Sequence, residues 1–144
     1  MIQPIFRLAD WLRNRRRART DSPEAANGKH GEDLAQRYLQ KRGLTIVARN
    51  WRSQAGPGEL DLVAWHGDKL VFVEVKTRVT DEFGAPERAV DREKQRHLRR
   101  AAGEYARRAG VEWLQVRFDV VGIVLSTPPL VEWIQDAFPA SQTL

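Results

Sequence analysis

The sequence predicts an α/β fold, a mixed central β-sheet flanked by helices. Three observations point there. Residues 59–66 and 69–77 alternate side-chain character as strands do. Residues 31–43 and 86–110 instead space their apolar side chains as helices do. Turn residues (Gly43, the 53–58 run SQAGPG, Gly67-Asp68, Pro128-Pro129) separate these stretches into the order α-β-β-β-α-β-β. Helices between strands suggest a layered domain built around a partly parallel sheet.

Each element has a local reason. GEDLAQRYLQKRG is a helix closing at Gly43, with Leu34, Ala35, Tyr38 and Leu39 as its apolar stripe and Glu32 at the edge of that stripe. LTIVARNWR is a first strand, and SQAGPG is a loop. ELDLVAWH and KLVFVEVKT are strands two and three, and VTDEFGAP is a loop. PERAVDREKQRHLRRAAGEYARRAG is one long helix with Pro86 near its start. WLQVRFDVVGIVL is a fourth strand, and LVEWI beyond the prolines is a short fifth.

A chain of 144 residues with 42% hydrophobic and 30% charged side chains suits one soluble domain. It has no cysteine, which excludes disulfides and thiolate metal sites and fits a cytoplasmic setting. No run is long and apolar enough for a membrane span. Residues 1–19 hold six arginines (Arg7, Arg13, Arg15, Arg16, Arg17, Arg19) against Asp10, which accounts for the whole net charge of +5. They form a basic arm with a short amphipathic pattern, either a solvated terminus or a contact for phosphates or an anionic membrane surface. The divisions are an arm and linker over 1–27, a folded domain over 28–136 and a tail over 137–144.

The hairpin carries the chemistry. With Gly67-Asp68 as a two-residue turn, His66 faces Lys69, Val63 faces Phe72, Asp61 faces Glu74 and Glu59 faces Lys76. One face then collects Leu60, Leu62, Ala64, Val71, Val73 and Val75. The other runs from Trp65, Val63, Leu70 and Phe72 to a charged end made by Asp61, Glu74, Glu59 and Lys76. Two carboxylates opposed at about 5 Å repel unless a positive charge lies between them. A hard divalent cation such as Mg²⁺ suits carboxylate oxygens. Lys76, on the same face, would orient water or steady charge on a phosphate. The competing interpretation is a solvated strand end, with Glu59–Lys76 an ordinary ion pair and Asp61–Glu74 protonated or separated by water.

Asp61, a hairpin and Glu74-Val75-Lys76 resemble the D…(D/E)-x-K signature of the PD-(D/E)XK nucleases, which include restriction endonucleases and archaeal Holliday-junction resolvases. GEDLAQRYL, GELDLVA, FVEVKTR, Phe83-Gly84, Ala89-Val90 and RFDVV are together similar to the YraN family of bacterial predicted endonucleases. The likeness covers about residues 28–136 and leaves out the arm. It implies a restriction-endonuclease-like αβββαβ core and a DNA-cleaving activity dependent on Mg²⁺ or Mn²⁺. It also implies pairing into a homodimer, as resolvases pair to cut two strands. Asp61 and Glu74 would be metal ligands and Lys76 the catalytic lysine. Glu32 would complete the acidic cluster, although a capping or surface role suits it equally. Leu60 stands where the motif's nominal proline would precede Asp61, and Pro57 lies four residues back. A module that keeps the fold and binds nucleic acid without cutting it is the alternative function.

In the long helix Arg88, Arg92, Arg96 and Arg100 recur every fourth residue. This is either a phosphate-binding ridge or a solvated face. Val90, Leu98, Ala101, Ala102 and Tyr105 form its core stripe, and Lys94 interrupts that stripe. Lys94 must snorkel outward or find an anion, so Lys94 or Gln95 would reach the site or a phosphate. Arg78, just past Lys76, is a further candidate contact to the nucleic-acid backbone.

Overall fold

In a computed structural model of the chain, residues 22–80 and 86–141 are described, apart from the side chains of residues 87 and 88. The basic arm, Phe83-Gly84 and the Arg88 side chain therefore lie outside the described residues.

The elements are helix α1 (Pro23–Lys41), strands β1 (Thr45–Arg52), β2 (Glu59–His66) and β3 (Lys69–Arg78), a 3₁₀ turn at Pro86–Ala89, helix α2 (Arg92–Ala109), a 3₁₀ turn at Trp113–Gln115, and strands β4 (Val116–Val124) and β5 (Leu130–Phe138). The sheet order is β1-β2-β3-β4-β5. Only β3 and β4 run parallel, joined by the crossover that contains α2; the other neighbours are antiparallel. This is the expected mixed α/β sheet flanked by helices, with a restriction-endonuclease-like core. Among the described residues no helix is long and apolar enough to cross a membrane.

Local chemistry explains most boundaries. Gly67 has φ +62, and the hairpin closes with His66 opposite Lys69 and Val63 opposite Phe72. Gly110, at φ +70, caps α2 in the left-handed conformation. Four boundaries differ from the sequence expectation. Strand β4 begins at Val116, because Trp113–Gln115, expected as its first residues, form a 3₁₀ turn in which the Gln115 amide donates to the Glu112 carbonyl at 2.9 Å. Helix α1 begins at Pro23, inside the stretch expected as linker, because the Ser22 hydroxyl accepts the Ala25 amide (3.0 Å) and Pro23 suits a first helical position. The long second helix is divided, because Asp91 caps a new start by accepting the Lys94 amide at 2.8 Å. Strand β5 runs on to Phe138 rather than ending near Ile134.

Two cores sandwich the sheet. Under α1 lie Ala35, Leu39, Leu62, Ala64, Val71, Val73, Val75, Val121 and Ile123. Under α2 lie Leu60, Val63, Leu70, Phe72, Leu98, Ala101, Phe118 and Val120. Leu60 was expected beside Leu62 but packs in the opposite core. Its ladder partner Trp51 crosses with it and meets Tyr105 of α2 edge-on at 5.4 Å. Between Arg49 and Trp51 stands Asn50 at φ +53, which breaks the pleat and rotates both strands. The position it rotates opposite is Asp61.

Helix α1 approaches β3 closely at Gly31, where an added Cβ would run into the Thr77 side chain. Thr77 is β-branched and stiff, so it gives way poorly. Gly31→Ala is expected to destabilise the fold by about 1–3 kcal/mol despite alanine's better helix propensity, read as a lower denaturant midpoint. An unchanged midpoint would show that α1 has room to shift.

The 53–58 loop is pinned to α2. Glu104 accepts from the Ser53 hydroxyl (3.3 Å) and from the amides of Gln54 (3.1 Å) and Ala55 (3.0 Å), while Arg108 donates to Gln54 Oε1 at 2.8 Å. Arg100 also donates to the Pro57 carbonyl. The Gln54 amide, aided by the Ala55 amide, the Ser53 hydroxyl and the charge of Arg108 and opposed by burial, holds the Glu104 carboxyl below its usual range. A depressed carboxyl stabilises the fold fully above its unfolded pKa of 4.5, and this is lost as pH falls through the folded value. Hydrogen exchange at the Gln54 and Ala55 amides is therefore expected to gain protection on going from acid to neutral pH, and Glu104→Gln should flatten that gain.

Candidate active site

The β2–β3 ladder stops at Leu62 and Val73, so Asp61 and Glu74 are not ladder partners as the hairpin register alone would have them. Beyond that point Asp61 Oδ2 accepts the Val75 amide at 2.9 Å, where a strand carbonyl would otherwise sit. The rotation at Asn50 allows this by turning Asp61 edge-on toward β3. β3 continues alongside β4, with Glu74 opposite Val120 and Lys76 opposite Gly122. A Cβ at Gly122 would strike the Pro86 ring, so the 3₁₀ turn lies directly on β4 beside Lys76 and walls the site.

Glu74 and Lys76 share a face with Phe72, toward α2, and Lys94 comes down from the first turn of that helix. Lys76 Nζ lies 2.9 Å and Lys94 Nζ 2.7 Å from the same atom, Glu74 Oε2. Glu74 Oε1 is buried and has no hydrogen-bond partner among the described residues. Asp61 and Lys94 are 0% exposed, Lys76 1% and Glu74 2%. Burial alone would raise the Glu74 pKa, but the two ammonium groups outweigh it and hold it at about 2, so Glu74 is ionised. Burial lowers Lys76 to about 8; Glu74 and Asp61 oppose that shift, and Lys94 adds to it.

The other expected residues fall around this centre. Glu32 is buried on α1, across the sheet from α2, and Arg49 lies 3.6 Å from its carboxylate. Among the described residues no group of three or more carboxylate or histidine side chains is gathered as a metal cluster. Glu59 lies opposite Arg52 and 3.6 Å from its Nε, rather than facing Lys76. Arg78 is largely buried, and Gln95 is occupied by the Val90 carbonyl (3.0 Å) and Arg99 (3.1 Å). The exposed cations of α2 are Arg92, Arg96, Arg100, Arg107 and Arg108.

The donor set suits a hard cation. Asp61 and Glu74 offer buried carboxylate oxygens, and the ion pairs of Glu74 with Lys76 and Lys94 fall on Oε2 rather than Oε1. The contrast with Asp119, which the sequence reading did not single out, is informative. Asp119 is 0% exposed, yet it accepts twice from Arg117 (2.8 Å each), from Trp133 Nε1 (2.9 Å) and from the Asp136 amide (3.0 Å). All its acceptor directions are taken, so it fastens β5 to β4. Arg-x-Asp on a strand was visible in the sequence; its distant partners were not.

Comparison with known proteins places the chain. Residues 31–123 match the model of the uncharacterised protein family UPF0102. A UPF0102 protein of Solibacter usitatus is 54% identical over 96% of this chain and 100% of its own length. One from Rhodococcus jostii is 52% identical over 78% of this chain and 96% of its own length. One from Geobacter sulfurreducens is 44% identical over 77% and 87%. With residues 31–123, from within α1 to within β4, under one family model and relatives above 50% identity, the chain belongs to UPF0102, the YraN family.

Proposed function

We propose that this protein is a metal-dependent nuclease of the PD-(D/E)XK type that hydrolyses phosphodiester bonds in DNA, including branched DNA. The observation that carries this reading is the parted end of β2 and β3. There Asp61 and Glu74 are buried together with Lys76, and Glu74 keeps one oxygen without a hydrogen bond. A Mg²⁺ or Mn²⁺ ion held by Asp61 and Glu74 would act as a Lewis acid toward the phosphate and make water a better nucleophile. Asp61 is held in place by the Val75 amide. Lys76 directs its ammonium to the reacting side of Glu74, where it orients the attacking water or balances charge on the phosphate. Exposed Arg92 and Arg96, in the first turns of α2 on either side of Lys94, hold the DNA backbone in place of the buried Arg78. The working form is a homodimer, one chain for each strand cut.

The test is cleavage of linear and branched duplexes with Mg²⁺ and Mn²⁺ by the wild type beside Asp61→Asn and Glu74→Gln. Cleavage by the wild type alone supports the reading. Equal nicking by all three would reveal a contaminant and remove it. The salt dependence of duplex binding gives a separate check: Arg96→Ala is expected to lower the slope of log affinity against log salt by about one. An unchanged slope would exclude Arg96 from the interface.

One observation favours the second reading, a module that binds nucleic acid without cutting. Glu74 already has two ammonium groups against it, so its charge is compensated without a metal, as in a structural ion-pair cluster. Duplex binding that is equal in metal and in chelator, without cleavage, would support this reading.

A further inference from the structure

Lys94 is an unusual residue for its place. It lies in the first turn of α2, where the helix dipole disfavours a positive charge. It is 0% exposed, and burying a charge is costly unless a partner compensates it. One such partner is Glu74, 2.7 Å away, which Lys76 also contacts at 2.9 Å. Each ammonium group helps to hold Glu74 ionised, and the two lysines repel each other. Lys94 therefore stands on the carboxylate that an incoming cation would use.

The charges around it give that position a meaning. Among the described side chains, Asp61 and Glu74 offer two carboxylates, and Lys76 and Lys94 two ammonium groups. A divalent cation entering alone would add two positive charges beside two buried lysines, which this interior resists. A phosphodiester arriving with the ion brings one compensating negative charge and an anion for an ammonium group to meet. Without Lys94 the same ion meets one positive charge fewer.

We propose that Lys94 is an internal counter-ion to Glu74 that makes uptake of the divalent cation depend on the presence of a nucleic-acid phosphate. The free protein then holds the ion weakly, and the ion and the DNA strengthen each other's binding by the same factor, as linkage requires. As the ion engages Glu74, Lys94 turns its ammonium to the phosphate. This deepens the nuclease reading and rests on it in one respect, the binding of a divalent ion by Asp61 and Glu74.

The experiment measures Mn²⁺ affinity from the electron paramagnetic resonance signal of free Mn²⁺. The full chain is titrated with and without a short duplex carrying cleavage-resistant phosphorothioate links, and Mn²⁺ held by duplex alone is subtracted. The wild type should bind Mn²⁺ about tenfold or more tightly when duplex is present. Lys94→Met and Lys94→Gln should bind Mn²⁺ about tenfold more tightly than the wild type without duplex, and should lose most of the gain from adding it. A purely structural lysine would lower the melting temperature and leave these affinities alone. Folded variants with wild-type Mn²⁺ affinity overturn the role of Lys94 and leave the nuclease reading standing. So does a wild type indifferent to duplex, a result that needs neither variant to fold. Absence of Mn²⁺ binding in all three proteins, with and without duplex, overturns both.

Discussion

Glu74→Ala is expected to cost the fold about 3–5 kcal/mol, because it removes one partner of a buried ion pair and leaves charge uncompensated. Lys76 and Lys94 would keep their places, 1% and 0% exposed, without the carboxylate they share. The loss should appear as a lower urea midpoint at an unchanged slope. It should also narrow as pH rises. Lys76 in the fold already titrates near 8, against 10.5 when unfolded. Between those values the unfolded chain binds more protons, so stability climbs with pH. Without Glu74 the folded value drops further and the climb begins earlier. Wild-type stability of Glu74→Ala at neutral pH would mean that water reaches the lysines and the cluster is open rather than buried.

Lys76→Met is expected to reduce cleavage about 10²- to 10³-fold, the usual effect of losing one preorganised group that meets developing charge. Methionine nearly fills the space of the lysine stem, so the packing under Pro86 is kept. Duplex affinity should change little if the exposed arginines of α2 bind the backbone as proposed, because Lys76 is not at the surface. Single-turnover cleavage beside equilibrium duplex binding separates the two effects. Full cleavage by the methionine variant would remove Lys76 from the reaction.

The hairpin was legible because its signals are local. Gly67 accepts positive φ, the turn fixes the facing pairs as far as Leu62 and Val73, and the aliphatic alternation of β3 places its side chains in two cores. Asp61, Glu74 and Lys76 could be named from the same pattern. Leu60 could not be placed, because alternation holds only while the pleat is regular and Asn50 interrupts it from the neighbouring strand. Asp91 as the start of α2 was hidden inside a helix-like run, since a cap is one hydrogen bond that periodicity does not detect.

By itself, then, the sequence determined the elements, the hairpin turn and the set of charged residues at its open end, all consequences of side-chain alternation and turn chemistry within a few residues. Only the tertiary structure decided which charges meet. It turned Asp61 onto the Val75 amide, brought Lys94 down onto Glu74, and set Glu32 beside Arg49. The reason is physical. Ion pairs join side chains from different elements, and their geometry follows from how helices pack on the sheet and where a strand twists.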